Sequence, residues 1–248
     1  DCQVLREFLR LAGGMRARIV VLTAATSLPG EVGLTYIEAF ERLGAEDVQV
    51  VDTRNREDAE KPDALRAIAQ STGVFFTGGD QARIIRSMKG TILDDAIRKR
   101  HAEGLVVGGT SAGAAMMPDK MIVEGDSETS PRADVVDMGE GMGFLPGVLI
   151  DQHFAQRGRL GRLLSALLLE PMVLGFGIDE DTAMVVVGDE FEVIGEGAVT
   201  VVDESATTYN NLNQLLKDEP LAVFGVKLHI LPQGYRFNLK TRMAIALE

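Results

Sequence analysis

Short apolar runs alternate with stretches of helical spacing through the first half of the chain. The apolar runs predict buried strands at 18–23, 48–51, 73–77 and 104–108. Helices are predicted between them at 33–43, 63–70, 81–89 and 92–103, and a helix-like stretch at 4–9 precedes the first strand. Strands separated by helices of this length indicate parallel βαβ units, with helices covering both faces of the sheet.

The second half of the chain carries more closely spaced strand patterns. Strands are predicted at 177–178, 183–187, 191–194, 199–202 and 223–231, with a hairpin turn at Gly188-Asp189. These strands are expected to be antiparallel, near the C-terminal end of the sheet, and loops are expected at 126–147 and 203–213. Because no repeat or low-complexity linker interrupts the pattern, it predicts one α/β domain over residues 1–248, with three layers and a mostly parallel sheet flanked by helices.

The composition narrows the class of partner. A net charge of −12 provides no field that attracts phosphate polymers, and an aromatic share of 5% is low for a protein that stacks on nucleic-acid bases. No run approaches the roughly 18 apolar residues of a membrane span. The single cysteine, Cys2, excludes an internal disulfide and fits a reducing compartment. We therefore expect a cytoplasmic protein that binds neither nucleic acid nor membrane, while the abrupt start at Asp1 leaves export open.

A candidate nucleophile lies directly after the fourth predicted strand. The segment Gly109-Thr110-Ser111-Ala112-Gly113 fits the G-x-S-x-G pattern and is followed by a small-residue helix start. In this strand–turn–helix context the serine is expected to adopt a strained conformation with its hydroxyl exposed. The alternative is an ordinary serine in a glycine-rich turn, because short motifs recur by chance.

A second glycine-rich turn, at 77–81, follows the third predicted strand. The carboxyl ends of parallel strands meet at one edge of a sheet, where ligands bind in open α/β folds. Two such turns can supply two backbone N–H donors to one oxyanion hole, and Gly79 and Ala112 are the expected pair.

Among the three histidines, His153 is the best-placed candidate for a general base. It follows an apolar run, at the point where a strand delivers polar side chains to its carboxyl end. His101 lies in a charged stretch and His229 in an alternating strand, where solvated and structural roles are expected. A catalytic histidine needs a carboxylate to orient it, and the three acids of segment 179–181 follow another short strand. From the residues alone, the choice among these acids stays open.

Together these motifs resemble a known family. The segments 76–81 (FTGGDQ), 109–114 (GTSAGA) and 177–180 (GIDE), and above all 151–154 (DQHF) with the arginines that follow it, resemble the cyanophycinases, in the serine peptidase family that also contains aspartyl dipeptidase. The segment 228–239 extends the likeness over nearly the whole chain. The resemblance implies a fold like that of class I glutamine amidotransferases and a homodimer. Enzymes of this kind begin with a strand ahead of the first helix, so a first strand is expected upstream of residue 1.

The resemblance also implies the roles of individual residues. It makes Ser111 the nucleophile, His153 the base and Glu180 the orienting acid, without a cofactor. The implied substrate is cyanophycin, a poly-aspartate backbone with arginine linked to each side-chain carboxyl, which is cut through an acyl-enzyme to β-Asp-Arg dipeptides. Implied substrate contacts are Gln81, Asp151, Gln152, Arg157, Arg159 and Arg162.

Elementary chemistry agrees with such a substrate and leaves alternatives open. Guanidinium groups bind carboxylates bidentately, and carboxylates suit the guanidinium of the substrate. The arginines could instead pair with local acids. The three histidines lack metal-ligand spacing, so no metal is expected. The alternative functions are an aspartyl or isoaspartyl dipeptidase acting on short β-aspartyl peptides, and a catalytically silent binding protein on the same fold.

Overall fold

The computed structural model describes residues 2–216 and 218–247. Contacts between Cα atoms divide the chain into two compact units, Asp1–Met117 and Pro118–Glu248. The expectation of one domain over residues 1–248 stays a prediction.

The first unit is a parallel sheet with its connecting helices. Its elements in chain order are α1 (Gln3–Leu11), β1 (Arg18–Leu22), α2 (Pro29–Arg42), β2 (Asp47–Val51), α3 (Pro62–Gln70), β3 (Gly73–Phe76), α4 (Gln81–Met88), α5 (Ile92–Ala102), β4 (Val106–Gly109) and α6 (Ala112–Ala115). The sheet has the order β2-β1-β3-β4, and all its pairings are parallel. This confirms the predicted βαβ units.

An aromatic cluster holds the first helices against this sheet. Phe8 of α1, Phe40 of α2 and Phe75 of β3 have ring centroids 5.2–5.9 Å apart. Burial of such rings is a large apolar contribution to stability. A Cβ atom at Gly108 would lie 2.8 Å from the Phe8 ring, so a glycine at this position lets α1 pack closely on the strand that precedes Ser111.

The second unit contains more strands than helices. Its elements are β5 (Lys120–Gly125), β6 (Val136–Glu140), β7 (Val148–Gln152), α7 (Leu160–Leu169), β8 (Leu174–Ile178), β9 (Thr182–Val187), β10 (Glu190–Gly195), β11 (Ala198–Asp203), β12 (Tyr209–Asn210), β13 (Val223–Phe224), β14 (Lys227–Pro232), β15 (Arg236–Asn238) and β16 (Met243–Ile245). In the sheet β14-β11-β8-β7, the pair β7–β8 is parallel and the other pairs are antiparallel. A second, antiparallel sheet has the order β16-β15-β10-β9.

Helix α7 covers the β7–β8 pair. Its Leu163 and Leu167 pack in a buried cluster with Leu149 of β7 and Phe154, just after that strand. A Cβ at Gly175 of β8 would lie 2.7 Å from Leu167, so this glycine allows the close approach of helix and strand. The cluster anchors both strands whose carboxyl ends carry candidate site residues.

The sequence predictions and the structure differ at a few places. The hairpin at Gly188-Asp189 is confirmed, because β9 and β10 pair antiparallel across it. The predicted loop 126–147 is wrong in part, since it contains β6, which pairs with β5. The glycine and the two acidic residues of β6 are uncommon in strands, so its sequence does not show the apolar pattern of a strand. Helix α2 begins at Pro29, four residues before the predicted start, because proline is well tolerated in the first turn of a helix. Within the described ranges, no helix is long and apolar enough to cross a membrane.

Two adjacent acids lie where β11 ends. Asp203 is buried, and its Oδ1 accepts hydrogen bonds from Arg242 Nη1 at 2.7 Å and from the Ser205 N–H at 2.9 Å. Glu204 is half-buried, and this burial, together with the charge of Asp203, raises the pKa of Glu204 from 4.5 to about 7. Its protonation therefore changes near neutral pH.

We predict that Glu204→Gln raises the melting temperature at pH 8 and leaves it nearly unchanged at pH 5. Between pH 4.5 and about 7 the folded protein holds a proton that the unfolded chain has released, so this carboxyl lowers stability as the pH rises through that window. Glutamine is neutral throughout. After discounting for partial exposure, we expect a gain of about 2–4 °C at pH 8 in calorimetry. The exposed control Glu196→Gln should change little, and an equal gain at both pH values would contradict the assignment.

Candidate active site

Ser111 lies at a strained turn between β4 and α6. Its φ of 52° and ψ of −116° place a non-glycine residue at positive φ, which persists only where the surrounding structure enforces it. The N–H groups of Ala114 and Ala115 both donate to the Ser111 carbonyl at 2.9 Å. The turn has the shape that the G-x-S-x-G pattern predicts, although α6 is a single turn of helix.

Both glycines of this motif are required by close packing. A Cβ at Gly109 would lie 2.2 Å from the Gly113 carbonyl oxygen, and a Cβ at Gly113 would lie 2.3 Å from the Phe76 carbonyl oxygen of β3. The Thr110 N–H also donates to that Phe76 oxygen at 3.1 Å. The neighbouring strand therefore holds the serine turn in place.

The second glycine-rich turn lies directly beside the serine. A Cβ at Gly78 would be 3.2 Å from the Ser111 Cβ. Gly79 has a φ of +140° and packs on the loop after β1, where a Cβ would meet the Ala25 carbonyl oxygen at 2.2 Å. Among the described residues, no backbone–backbone hydrogen bond in a loop or turn is donated by the N–H of Gly79 or by the N–H of Ala112. These are the two groups that the sequence predicts for an oxyanion hole.

In the second unit, His153 and Glu180 form a hydrogen-bonded pair. They follow β7 and β8, which are parallel neighbours, so the two loops leave the same edge of their sheet. His153 Nδ1 and Glu180 Oε1 are 2.7 Å apart. Because a carboxylate only accepts, Nδ1 carries the proton and donates it, which leaves the lone pair of the imidazole on Nε2. That tautomer is the one a general base requires.

The three acids after β8 have different surroundings. Asp179 accepts from the Ala155 N–H at 3.0 Å and the Ala198 N–H at 3.1 Å, so its carboxylate ties backbone segments together. Asp181 is exposed and has a φ of 51°. Of the three carboxylates, the structure pairs that of Glu180 with His153.

Sequence reasoning missed one residue that supports this pair. Oε1 of Gln156 accepts from the Glu180 N–H at 3.1 Å, which joins the two loops from the side. The only signal for it was its position three residues after His153, inside the segment whose arginines drew attention.

Asp151, Arg159 and Arg162 form a buried charge cluster. Arg162 donates from Nε to Asp151 Oδ2 at 2.7 Å and from Nη2 to Oδ1 at 2.6 Å, in a bidentate fork. Arg159 Nη1 lies 3.3 Å from the same Oδ1. Their exposed fractions are 1%, 7% and 5%. These three implied substrate contacts thus have internal partners, and two of the arginines pair with a local acid.

The other implied substrate contacts are distributed differently. Arg157 is exposed, Gln152 is the half-buried last residue of β7, and Gln81 is the buried first residue of α4. His101 Nδ1 lies 2.8 Å from the Leu105 carbonyl oxygen, and the ring of His229 packs 5.7 Å from that of Phe237. In the part of the chain that the structure describes, no group of three or more His, Cys, Asp or Glu side chains could hold a metal ion.

Comparisons with known proteins give a consistent result. A family model described as Peptidase family S51 matches residues 2–194. The chain is 44% identical over 246 residues to a protein named Cyanophycinase from Geminocystis herdmanii, covering 98% of this chain and 90% of that protein. It is 42% identical over 245 residues to a Cyanophycinase from Trichormus variabilis, covering 98% and 82%.

Two solved structures with a similar fold are a peptidase and a putative peptidase. A peptidase from an acI-B1 Actinobacterium superposes with a TM-score of 0.61 at 20% identity, covering 94% of this chain and 88% of that one. A putative peptidase E from Listeria monocytogenes superposes with a TM-score of 0.54 at 15% identity, covering 77% and 92%. At these identities the likeness supports the α/β fold, with its parallel sheet and helical layers.

We predict that Gly79→Ala destabilises the protein more than Gly78→Ala. At Gly79 the added methyl would meet a backbone oxygen at 2.2 Å in a left-handed conformation, whereas at Gly78 it would meet a side-chain carbon at 3.2 Å. Backbone strain and overpacking each cost about 1–3 kcal/mol. Chemical denaturation of the two variants measures the difference. Equal stabilities would show that the turn at 77–80 does not pack on the loop after β1 as described.

Proposed function

The chain belongs to peptidase family S51, and on that premise we propose that it is a serine exopeptidase that degrades cyanophycin, multi-L-arginyl-poly-L-aspartate, to β-Asp-Arg dipeptides. The observation that carries the mechanism is the 2.7 Å hydrogen bond between His153 and Glu180. Nucleophilic serine chemistry needs a base held in one tautomer, and this bond provides it. The strained turn of Ser111 supplies the nucleophile.

The first half of the proposed reaction forms an acyl-enzyme. Ser111 Oγ bonds to the scissile carbonyl carbon of the aspartate backbone while its proton passes to Nε2 of His153. The carbon–nitrogen bond then breaks, and His153 returns the proton to the departing amine. Glu180 stabilises the imidazolium that exists between these two transfers.

The oxyanion of the tetrahedral intermediate needs donors, and we assign them to the N–H groups of Gly79 and Ala112. Their turns are adjacent, because a Cβ added at Gly78 would lie only 3.2 Å from the Ser111 Cβ. Two preorganised backbone donors stabilise developing charge by several kcal/mol in such sites. Because α6 has only four residues, this stabilisation comes from local N–H groups rather than from a helix dipole.

The second half of the reaction releases the product. A water molecule bonds to the acyl carbon and gives one proton to His153, the ester bond to Ser111 breaks, and His153 returns the proton to the serine oxygen. No metal or redox group takes part in this scheme.

For substrate recognition we assign the exposed Arg157 to a carboxylate of the polymer. A guanidinium fork binds a carboxylate bidentately, and Arg157 is exposed beside the turn that carries His153. Gln81 and Gln152 are proposed to contribute polar contacts. We further propose a cytoplasmic homodimer.

The test of this function is incubation of the purified protein with insoluble cyanophycin, followed by mass spectrometry of the soluble fraction. We predict release of β-Asp-Arg by the native protein and none by Ser111→Ala. Turnover of short β-aspartyl peptides without release from the polymer would instead identify a dipeptidase. Binding of the polymer without any turnover would identify a silent binding protein.

We predict that Glu180→Gln lowers kcat by about 10⁴-fold while Asp181→Asn leaves it within about twofold. An amide at position 180 can donate to Nδ1, which stabilises the wrong imidazole tautomer, and loss of the triad acid has a cost of this size in serine peptidases. Asp181 is the adjacent, exposed acid and serves as the matched control. Similar losses for both variants, measured as initial rates of dipeptide release, would contradict the assignment of the orienting acid.

A further inference from the structure

We propose that the buried charge cluster of Asp151, Arg159 and Arg162 positions His153 and does not contact the substrate. This inference rests on the proposed function, because it assigns a positioning role within the same site. It replaces the substrate contacts that the resemblance implies for these three residues.

The cluster is satisfied internally. Arg162 uses Nε and Nη2 on Asp151, and its Nη1 donates to the Gly125 carbonyl oxygen at 2.9 Å. Arg159 Nε donates to Ser127 Oγ at 3.2 Å. Buried charges are tolerated when they are paired and hydrogen-bonded in this way, and removing one partner leaves the remaining charges buried without compensation. A substrate carboxylate would have to displace Asp151 from a bidentate fork.

The cluster is hydrogen-bonded to the backbone of Gln152, the residue that precedes His153. Arg159 Nη1 donates to the Gln152 carbonyl oxygen at 2.6 Å. The Gln152 N–H donates to Asp151 Oδ1 at 3.0 Å. Both polar backbone groups of Gln152 are therefore bonded to charged side chains of the cluster, and bonds to ionised groups are the stronger kind.

These bonds to the Gln152 backbone help to position His153, because His153 has a strained backbone conformation. Its φ is 50°, a left-handed value that is uncommon and unfavourable for a residue with a Cβ. Such a conformation persists when the residues on both sides are fixed. The cluster fixes the preceding residue, and the Phe154 N–H, which donates to the Ile178 carbonyl oxygen at 3.2 Å, fixes the following one.

Loss of the Arg159 guanidinium should let the turn relax. The Gln152 oxygen would lose its charged donor, and His153 could move toward an ordinary φ, which would rotate the imidazole away from Glu180. A displacement of about 1 Å in a catalytic group lowers the rate by about 10²-fold. Substrate affinity should be retained, because the buried cluster does not take part in binding.

The first experiment compares Arg159→Gln with Arg157→Gln on cyanophycin. The two arginines lie in one turn, but Arg159 is 7% exposed and Arg157 is exposed. We expect Arg159→Gln to lower kcat by about 10²-fold with KM within about twofold. Arg157→Gln should raise KM with kcat nearly retained. A raised KM with retained kcat for Arg159→Gln would overturn the proposal.

The second experiment needs no substrate, so it reports even if cyanophycin is not hydrolysed. The chain has three histidines, and the imidazole signals of His153 can be assigned in NMR spectra by their loss in His153→Gln. Arg159→Gln should shift the Nδ1–H and ring resonances of His153 and leave those of His101 in place. The exposed control Arg66→Gln should shift neither. Unchanged His153 resonances in a folded Arg159→Gln protein would overturn the positioning role.

A conservative variant covers the case in which Arg159→Gln does not fold. In Arg159→Lys the ammonium can still donate to the Gln152 oxygen, although it lacks the planar fork. We expect kcat between those of the native protein and Arg159→Gln, with KM unchanged. A folded Arg159→Lys protein with native kcat and a raised KM would contradict the proposal.

Discussion

Pairing His153 with Glu180 requires two loops to end within hydrogen-bond reach of each other, and the parallel pairing of β7 with β8 meets that requirement. The strands pair up to their last residues, Gln152 with Ile178, so both loops start at one level. From there Asp179 and Gln156 cross-link the two loops through backbone N–H groups. Helix α7 supports this geometry, since it covers the same two strands and also provides Arg162.

Each of the two units holds one candidate catalytic residue in a strained backbone conformation, and the stabilising contacts differ between them. In the first unit, glycines allow backbone segments to approach within contact distance, and Ser111 is held by the neighbouring strand through Phe76. In the second unit, charged side chains hold a strained histidine, and the buried Asp151 is the centre of the network. Both candidate catalytic residues have positive φ, with values of 52° and 50°. Strain of this kind at functional sites is maintained by the structure around it.

Much of this arrangement could be predicted from the sequence. Apolar runs and helical spacing indicate the parallel sheet, and the glycines around Ser111 indicate the turn because only glycine fits there. The partners of the arginines could not be predicted. The positions of the arginines after His153 in the sequence do not indicate which of them is exposed, as Arg157 is, and which is buried, as Arg159 is. Burial decides between these roles, and it depends in part on the segment at 125–127, whose Gly125 and Ser127 accept hydrogen bonds from arginines 37 and 32 residues further along the chain.

The central claim is that Ser111 is a nucleophile activated by His153. Its most direct measurement is covalent labelling with a phosphonofluoridate, a reagent that captures activated serines, followed by mass spectrometry of the digested protein. The account predicts a single adduct on the peptide that contains Ser111, formed rapidly in the native protein and lost in His153→Ala. Labelling at the same rate without His153, or no labelling of Ser111, would contradict it.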